Sequence, residues 1–172
     1  MYRTYPYAIL FVTTALLQVF LFDNLSLSLY FDPLVYLSFI VLLPLDIAPV
    51  VLLGAGLATG VGMDMAMGTA GINTSATLLA AFVRPAVVNF CYGAENAREG
   101  GTPSPERMGR RAFVRYLAIV ILVHHALFFT LEALSLARTL HNLARILLSG
   151  AGTFAASWLL MRLFTAKLPV RI

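Results

Sequence analysis

Residues 34–63 read LVYLSFIVLLPLDIAPVVLLGAGLATGVGM. This stretch of 30 residues carries one charge, Asp46. As one helix it would measure ~45 Å at 1.5 Å per residue. That exceeds the ~30 Å hydrocarbon core of a bilayer, yet it is short for two full spans. Pro44 and Pro49 stand in its middle. Proline removes a backbone donor and turns the preceding residue away from the helical region. The stretch therefore predicts a tight hairpin at Pro44–Pro49 between a short span 2 (34–45) and span 3 (47–63). A re-entrant span 2 is the alternative.

The rest of the 172 residues agrees with a membrane reading. Hydrophobic residues make up 60% and charged residues 12%, against ~25% charged in a soluble domain. Mean hydropathy is +0.86. Disorder, collagen and a disulfide scaffold are excluded by the same figures, and Cys91 is the single cysteine. The apolar runs are longer than the ~10-residue alternating strands of a transmembrane barrel. Four further spans are expected over 5–22, 74–91, 116–136 and 140–164. The expected architecture is all-α: one polytopic transmembrane domain (1–172) of about six helices. Met1-Tyr-Arg3 and the following apolar run resemble a signal peptide. The run closes on Phe22-Asp-Asn24 without a small-x-small cleavage site, so it reads as a retained first span. Residues 25–31 alternate at period 2 and suggest a short interfacial piece.

Orientation follows from the basic residues, because cytoplasmic loops carry the excess of lysine and arginine. Six spans place Arg98, Arg107, Arg110, Arg111 and Arg115 on the same side as Arg3, Arg162, Lys167 and Arg171. Both termini and the loop 93–111 are thus expected in the cytoplasm. The loop's Gly100-Gly-Thr-Pro-Ser-Pro105 centre reads as flexible. The net charge of +4 bears on orientation rather than on nucleic acid, for which no partner role is expected.

Ionisable groups at membrane depth cost ~2.5–3.5 kcal/mol each, so each needs a partner. Depth pairs Asp46 with Arg84. Asp64 or Glu132 should meet the face formed by Arg138, His141 and Arg145, which are spaced i, i+3, i+7. Structural ion pairs are the first explanation, with a transport, catalytic or partner-contact role as alternatives. His124 and His125 are adjacent, hence ~100° apart on a helix, with no third ligand one turn on, and are expected as hydrogen-bonded core residues rather than metal ligands. No G-x-S-x-G, H-E-x-x-H or paired-aspartate motif occurs, so no catalytic, metal or cofactor site is expected. Half of the twelve glycines fall between Gly54 and Gly71. Gly56-x-x-x-Gly60 is a small-x-x-x-small element that lets another helix approach closely. Gly150, Gly152, Ala155, Ala156 and Ser157 form a second small patch, expected to pack span 6 on span 3.

The glycine zone carries a resemblance. Gly56-x-x-x-Gly60-x-x-x-Asp64-x-x-x-Gly68-x-x-Gly71, followed by Ile72-Asn-Thr74 and an apolar span, resembles the signature of the bacterial rod shape-determining MreD family. Gln18 late in span 1 and Asp32-Pro33 before span 2 fit it as well. Phe82-Val-Arg-Pro85 and the polar inner loop are similar to the Bacteroidetes-type branch. Asn73 departs from the pattern, since many members carry His there. The resemblance implies a non-enzymatic inner-membrane component of the lateral peptidoglycan synthesis complex. It implies an MreC-like single-span partner, with MreB, RodA and the elongation transpeptidase as indirect partners, and membrane lipids around it. Gly56, Gly60, Asp64, Gly68 and Gly71 become the partner or packing face. The family's fold is similar to the substrate-binding S components of energy-coupling-factor transporters, which supplies the alternative of a small-molecule importer subunit.

Overall fold

The computed structural model describes residues 4–24, 31–133 and 139–167. The protein is an all-α polytopic membrane protein, and no strand is formed among the described residues. Helix α1 (Thr4–Leu16) runs on into wider π-helical turns over Leu17–Phe22. Then come α2 (Leu37–Leu42), α3 (Pro49–Met67), α4 (Ile72–Tyr92), the short α5 (Ala94–Arg98) and α6 (Pro105–Met108), α7 (Arg110–Ala133) and α8 (Thr139–Lys167). Five segments are long and apolar enough to cross a membrane: Tyr5–Phe22, Pro49–Met67, Ile72–Tyr92, Arg110–Ala133 and Asn142–Thr165.

The expected span 2 is the main correction. Over 34–45 only six residues are helical, and every residue from Leu34 to Leu45 is buried inside the protein. The cause is local. Pro44 pushes Leu43 out of the helical region, to ψ 154°, and ends α2. Before α2 the chain is non-helical and its backbone is bonded by side chains of other helices. The chain restarts at Pro49, in the first turn of α3, where its missing N–H costs nothing. Helix α3 ends at Gly68, in the left-handed region with φ 68°, a conformation that favours glycine.

Several element ends gather at one end of the protein. The Tyr7 ring lies 5.5 Å from that of Phe164. Tyr7 Oη is 2.8 Å from Thr102 Oγ1, and Leu45 N donates to Gly101 O at 2.9 Å. So the start of α1, the end of α8, the 43–48 turn and the α4–α7 connection share one end of the protein. That connection is not loose at its centre. Residues 100–104 are all buried, and a Cβ on Gly100 would meet the Asp46 carboxylate within 2.6–2.8 Å. This corrects the expected flexible centre. Helix α7 also starts six residues earlier than expected, directly after Gly109, so that Arg110, Arg111 and Arg115 ride on its first turns.

Candidate functional site

The glycine motif forms one unit, the α3–α4 hairpin. A Cβ built on Gly60 would stand 2.5 Å from Thr74 Cα, and one on Gly56 would stand 2.9 Å from Ala81 Cβ. Both glycines therefore face α4. The turn between the helices needs Gly68 at φ 68° and Gly71 at φ 85°. Asp64 reaches across it. Its Oδ1 accepts from Thr69 Oγ1 at 2.5 Å and Asn73 N at 2.9 Å. Its Oδ2 accepts from Thr74 N at 3.0 Å and Thr74 Oγ1 at 2.5 Å. The carboxylate thus caps the N-terminus of α4, whose first N–H groups have no partners within the helix. Among the described residues Asp64 forms no ion pair; of the two acids expected to meet the basic face of α8, Glu132 does so, through Arg145. A carboxylate nine or ten residues before free helical N–H groups is a nearer partner than a cation on another helix.

A second unit surrounds residues 31–45, the broken crossing, which is helical only over Leu37–Leu42. Within a bilayer every backbone polar group must find a partner in the protein. Side chains supply them here. Asp32 N donates to Ser149 Oγ at 2.9 Å, Leu34 N to Thr153 Oγ1 at 2.9 Å, and Val35 N to Gln18 Oε1 at 2.6 Å. Ser38 and Ser157 share a hydroxyl bond of 2.7 Å. Tyr36 Oη donates to Asn73 Oδ1 at 2.6 Å and stands 3.1 Å from His124 Nε2. His124 must then donate from Nε2. His125 takes the opposite tautomer: Nδ1–H bonds Ile121 O at 3.0 Å, and Nε2 accepts from Thr153 at 3.0 Å. Both histidines are buried core residues. The small patch of α8 serves the same segment. A Cβ on Gly152 would meet Phe31 at 2.7 Å, and one on Gly150 would come 3.6 Å from Ile121. Gly150 and Gly152 thus pack on α7 and the broken crossing, a correction to the expected seat against span 3.

At the C-terminal end of α2, Arg84 does not pair with Asp46. Its Nε donates to Tyr116 Oη at 2.8 Å, and its terminal nitrogens donate to the carbonyls of Val41, Leu43 and Pro44. Asp46 is exposed instead. Glu132 and Arg145 do meet, at 2.9 Å, with the Arg145 guanidinium 4.4 Å from the Phe129 ring centre. Arg3, Arg138 and Arg171 lie outside the described residues, as do residues 25–30 and the side chains of His141 and Lys167. Gln18, Tyr36, Asn73, Tyr116, Ser149 and Thr153 were not singled out for polar work by sequence reasoning. The four-residue spacing of Ser149, Thr153 and Ser157, one hydroxyl per turn of a helix face, is the signal that could have found three of the partners.

The far face of α3 is left uncovered. Gly54, Ala58 and Gly62 follow one another at four-residue spacing, and a Cβ on Gly54 or Gly62 would meet nothing within 4 Å. Val50 and Met65, at the two ends of that face, are 81% and 82% exposed. Beside it, a groove of about 280 Å³ between α1 and α3 is lined by Tyr7, Ala8, Phe11, Phe39, Ala55, Ala58 and Thr59. A groove of about 420 Å³ between α7 and α8 is lined by apolar residues, including Leu122, Leu147, Gly150 and Phe154. No family model, no curated protein and no solved structure matches the chain.

Proposed function

We propose that this chain is a non-enzymatic, multi-pass inner-membrane component of the bacterial machinery for cell shape and lateral peptidoglycan synthesis, resembling MreD. It binds an MreC-like single-span protein through a helix laid on α3. The observation that carries the reading is the uncovered Gly54, Ala58, Gly62 face, since Gly56 and Gly60 are already consumed by α4. In lipid, helices associate through close packing rather than a hydrophobic drive, and small residues permit that approach. The hairpin that joins Asp64 to Thr69, Asn73 and Thr74 adds support, because it builds the resembling motif into one unit.

Affinity purification in mild detergent tests the partner. Wild-type protein is expected to retain a single-span, MreC-like protein. Gly62→Leu is expected to lose it while remaining folded. Retention of the partner by Gly62→Leu, or its absence from wild-type preparations, counts against the reading.

The proposed orientation puts both termini in the cytoplasm. Arg98, Arg110, Arg111, Arg115 and Arg162 are all exposed on segments at the end that holds Tyr7 and Phe164, in keeping with the bias of basic residues toward the cytoplasm. Ser104 is buried, so the exposed Glu106 is the better probe. Glu106→Cys in a Cys91→Ser background should resist membrane-impermeant maleimide in intact cells and react after lysis. Labelling from outside would invert the topology.

A further inference from the structure

The C-terminal end of α2 is a cage of carbonyl oxygens around a cation that the protein supplies itself. Pro44 breaks the helix, so the carbonyls of Val41, Leu43 and Pro44 lose their helical donors, and Pro44 O keeps only a long turn bond from Ile47 N at 3.4 Å. The Arg84 guanidinium fills the space they leave. One terminal nitrogen lies 3.3 Å from Pro44 O. The other donates to Leu43 O and stands 3.4 Å from Val41 O and 3.3 Å from Pro44 O. Tyr116 closes the cage. Its hydroxyl accepts from Arg84 Nε at 2.8 Å and donates to Val41 O at 2.6 Å. Arg84 is 1% exposed, and no carboxylate pairs with it among the described residues.

A buried charge normally calls for a counter-ion. Among the described residues the compensation comes from the ring of dipoles at a broken helix end, an arrangement that in discontinuous membrane helices coordinates cations, together with the Tyr116 hydroxyl and, 5.8 Å away, the Tyr116 ring. The planar guanidinium presents five donors in fixed directions, whereas an ammonium offers three on one compact, strongly hydrated nitrogen. We propose that the cage is a guanidinium-binding site whose resident ligand is the side chain of Arg84, and that it takes a free alkylguanidinium once that side chain is removed. The inference does not depend on the cell-shape reading. It concerns which chemistry the chain itself holds at this position.

The test is thermal unfolding of the full chain in detergent, for wild type, Arg84→Lys, Arg84→Met and Arg84→Ala. Each is measured with low-millimolar methylguanidinium chloride and with sodium chloride at equal ionic strength. The expected order of stability is wild type, then Lys, then Met. Met fills the volume but removes the donors to Leu43 O and Pro44 O, leaving Val41 O to Tyr116 and Pro44 O to Ile47 N, and should unfold roughly 5–10 °C below wild type. Methylguanidinium should raise the midpoint of Arg84→Ala and leave wild type and Arg84→Met unmoved, because a ligand stabilises only a protein with the site open. The proposal is overturned if Arg84→Met is as stable as Arg84→Lys, since packing alone would then explain the residue. It is equally overturned if folded Arg84→Ala gains no more from methylguanidinium than from sodium. If Arg84→Ala yields no folded protein, the ranking of Lys and Met decides.

Discussion

Gly60→Leu is expected to leave little folded protein in detergent, while Gly62→Leu, two residues on, unfolds at the wild-type temperature. The contrast rests on what each position faces. A Cβ on Gly60 would stand 2.5 Å from Thr74 Cα, 3.0 Å from Thr74 N and 3.2 Å from Asn73 O. These are backbone atoms at the start of α4, held there by the Asp64 cap, and they cannot rotate away as a side chain can. Even Gly60→Ala must push α3 and α4 apart. Overpacking of this kind costs ~1–3 kcal/mol, or a fall of roughly 3–10 °C in midpoint for a chain of this size. The branched side chain of leucine adds several atoms to a space that does not admit one. At Gly62 nothing lies within 4 Å of the added carbon, so leucine enters lipid or detergent at no steric cost. Thermal unfolding of the purified variants measures the difference. Equal stability of Gly60→Leu and wild type would show that α3 and α4 are not in contact at this point.

The helical, polytopic class was legible in run lengths and composition, because a bilayer leaves few alternatives for apolar segments of such length. The break at Pro44–Pro49 was legible too, since proline acts through local geometry. The partners of the polar groups were not. Sequence reasoning pairs a buried arginine with an acid, so it joined Arg84 to Asp46. The true acceptors are backbone carbonyls released by Pro44, and these carry no residue signature. The same blindness hid the roles of Ser149 and Thr153, whose partners are the N–H groups of Asp32 and Leu34. The length of span 2 escapes the sequence for a related reason. The ten residues 34–43, apolar but for Ser38, suggest a short helix. Pro33 and Pro44 bracket them, however, and donors and acceptors on the π-helical turns after α1 and on α4, α7 and α8 serve a chain that is helical only over Leu37–Leu42. The glycines around α3 were recognised as a close-packing device. Which face met which helix depended on the rotation of α3, and its apolar residues surround it on all sides, so periodicity could not fix that angle. The structure turns Gly56 and Gly60 to α4 and leaves Gly54, Ala58 and Gly62 outside.

Asp64→Ala is expected to cost about 2–3 kcal/mol, and to do so independently of Arg145. The carboxylate is half-buried and accepts four hydrogen bonds, from Thr69, Asn73 and twice from Thr74. Its loss strands the N–H groups of Asn73 and Thr74 at the start of α4, where the helix itself offers no acceptor. It also frees Thr69, whose hydroxyl accepts from Asn73 Nδ2 at 2.6 Å. Through Asn73 the disturbance reaches Tyr36 and then His124, so the cap and the broken crossing are joined by one chain of hydrogen bonds. Asp64→Asn should recover only part of the loss. Its oxygen can replace one side of the carboxylate, but its NH₂ then faces the donors that the other side served. Arg145 pairs with Glu132 and with the Phe129 ring instead. A double-mutant cycle of Asp64→Ala with Arg145→Met should therefore close to within ~0.5 kcal/mol, as it does for sites without shared partners. A coupling above ~1 kcal/mol would mean that Asp64 meets the basic face of α8 after all, and that the cap on α4 is not its main partner.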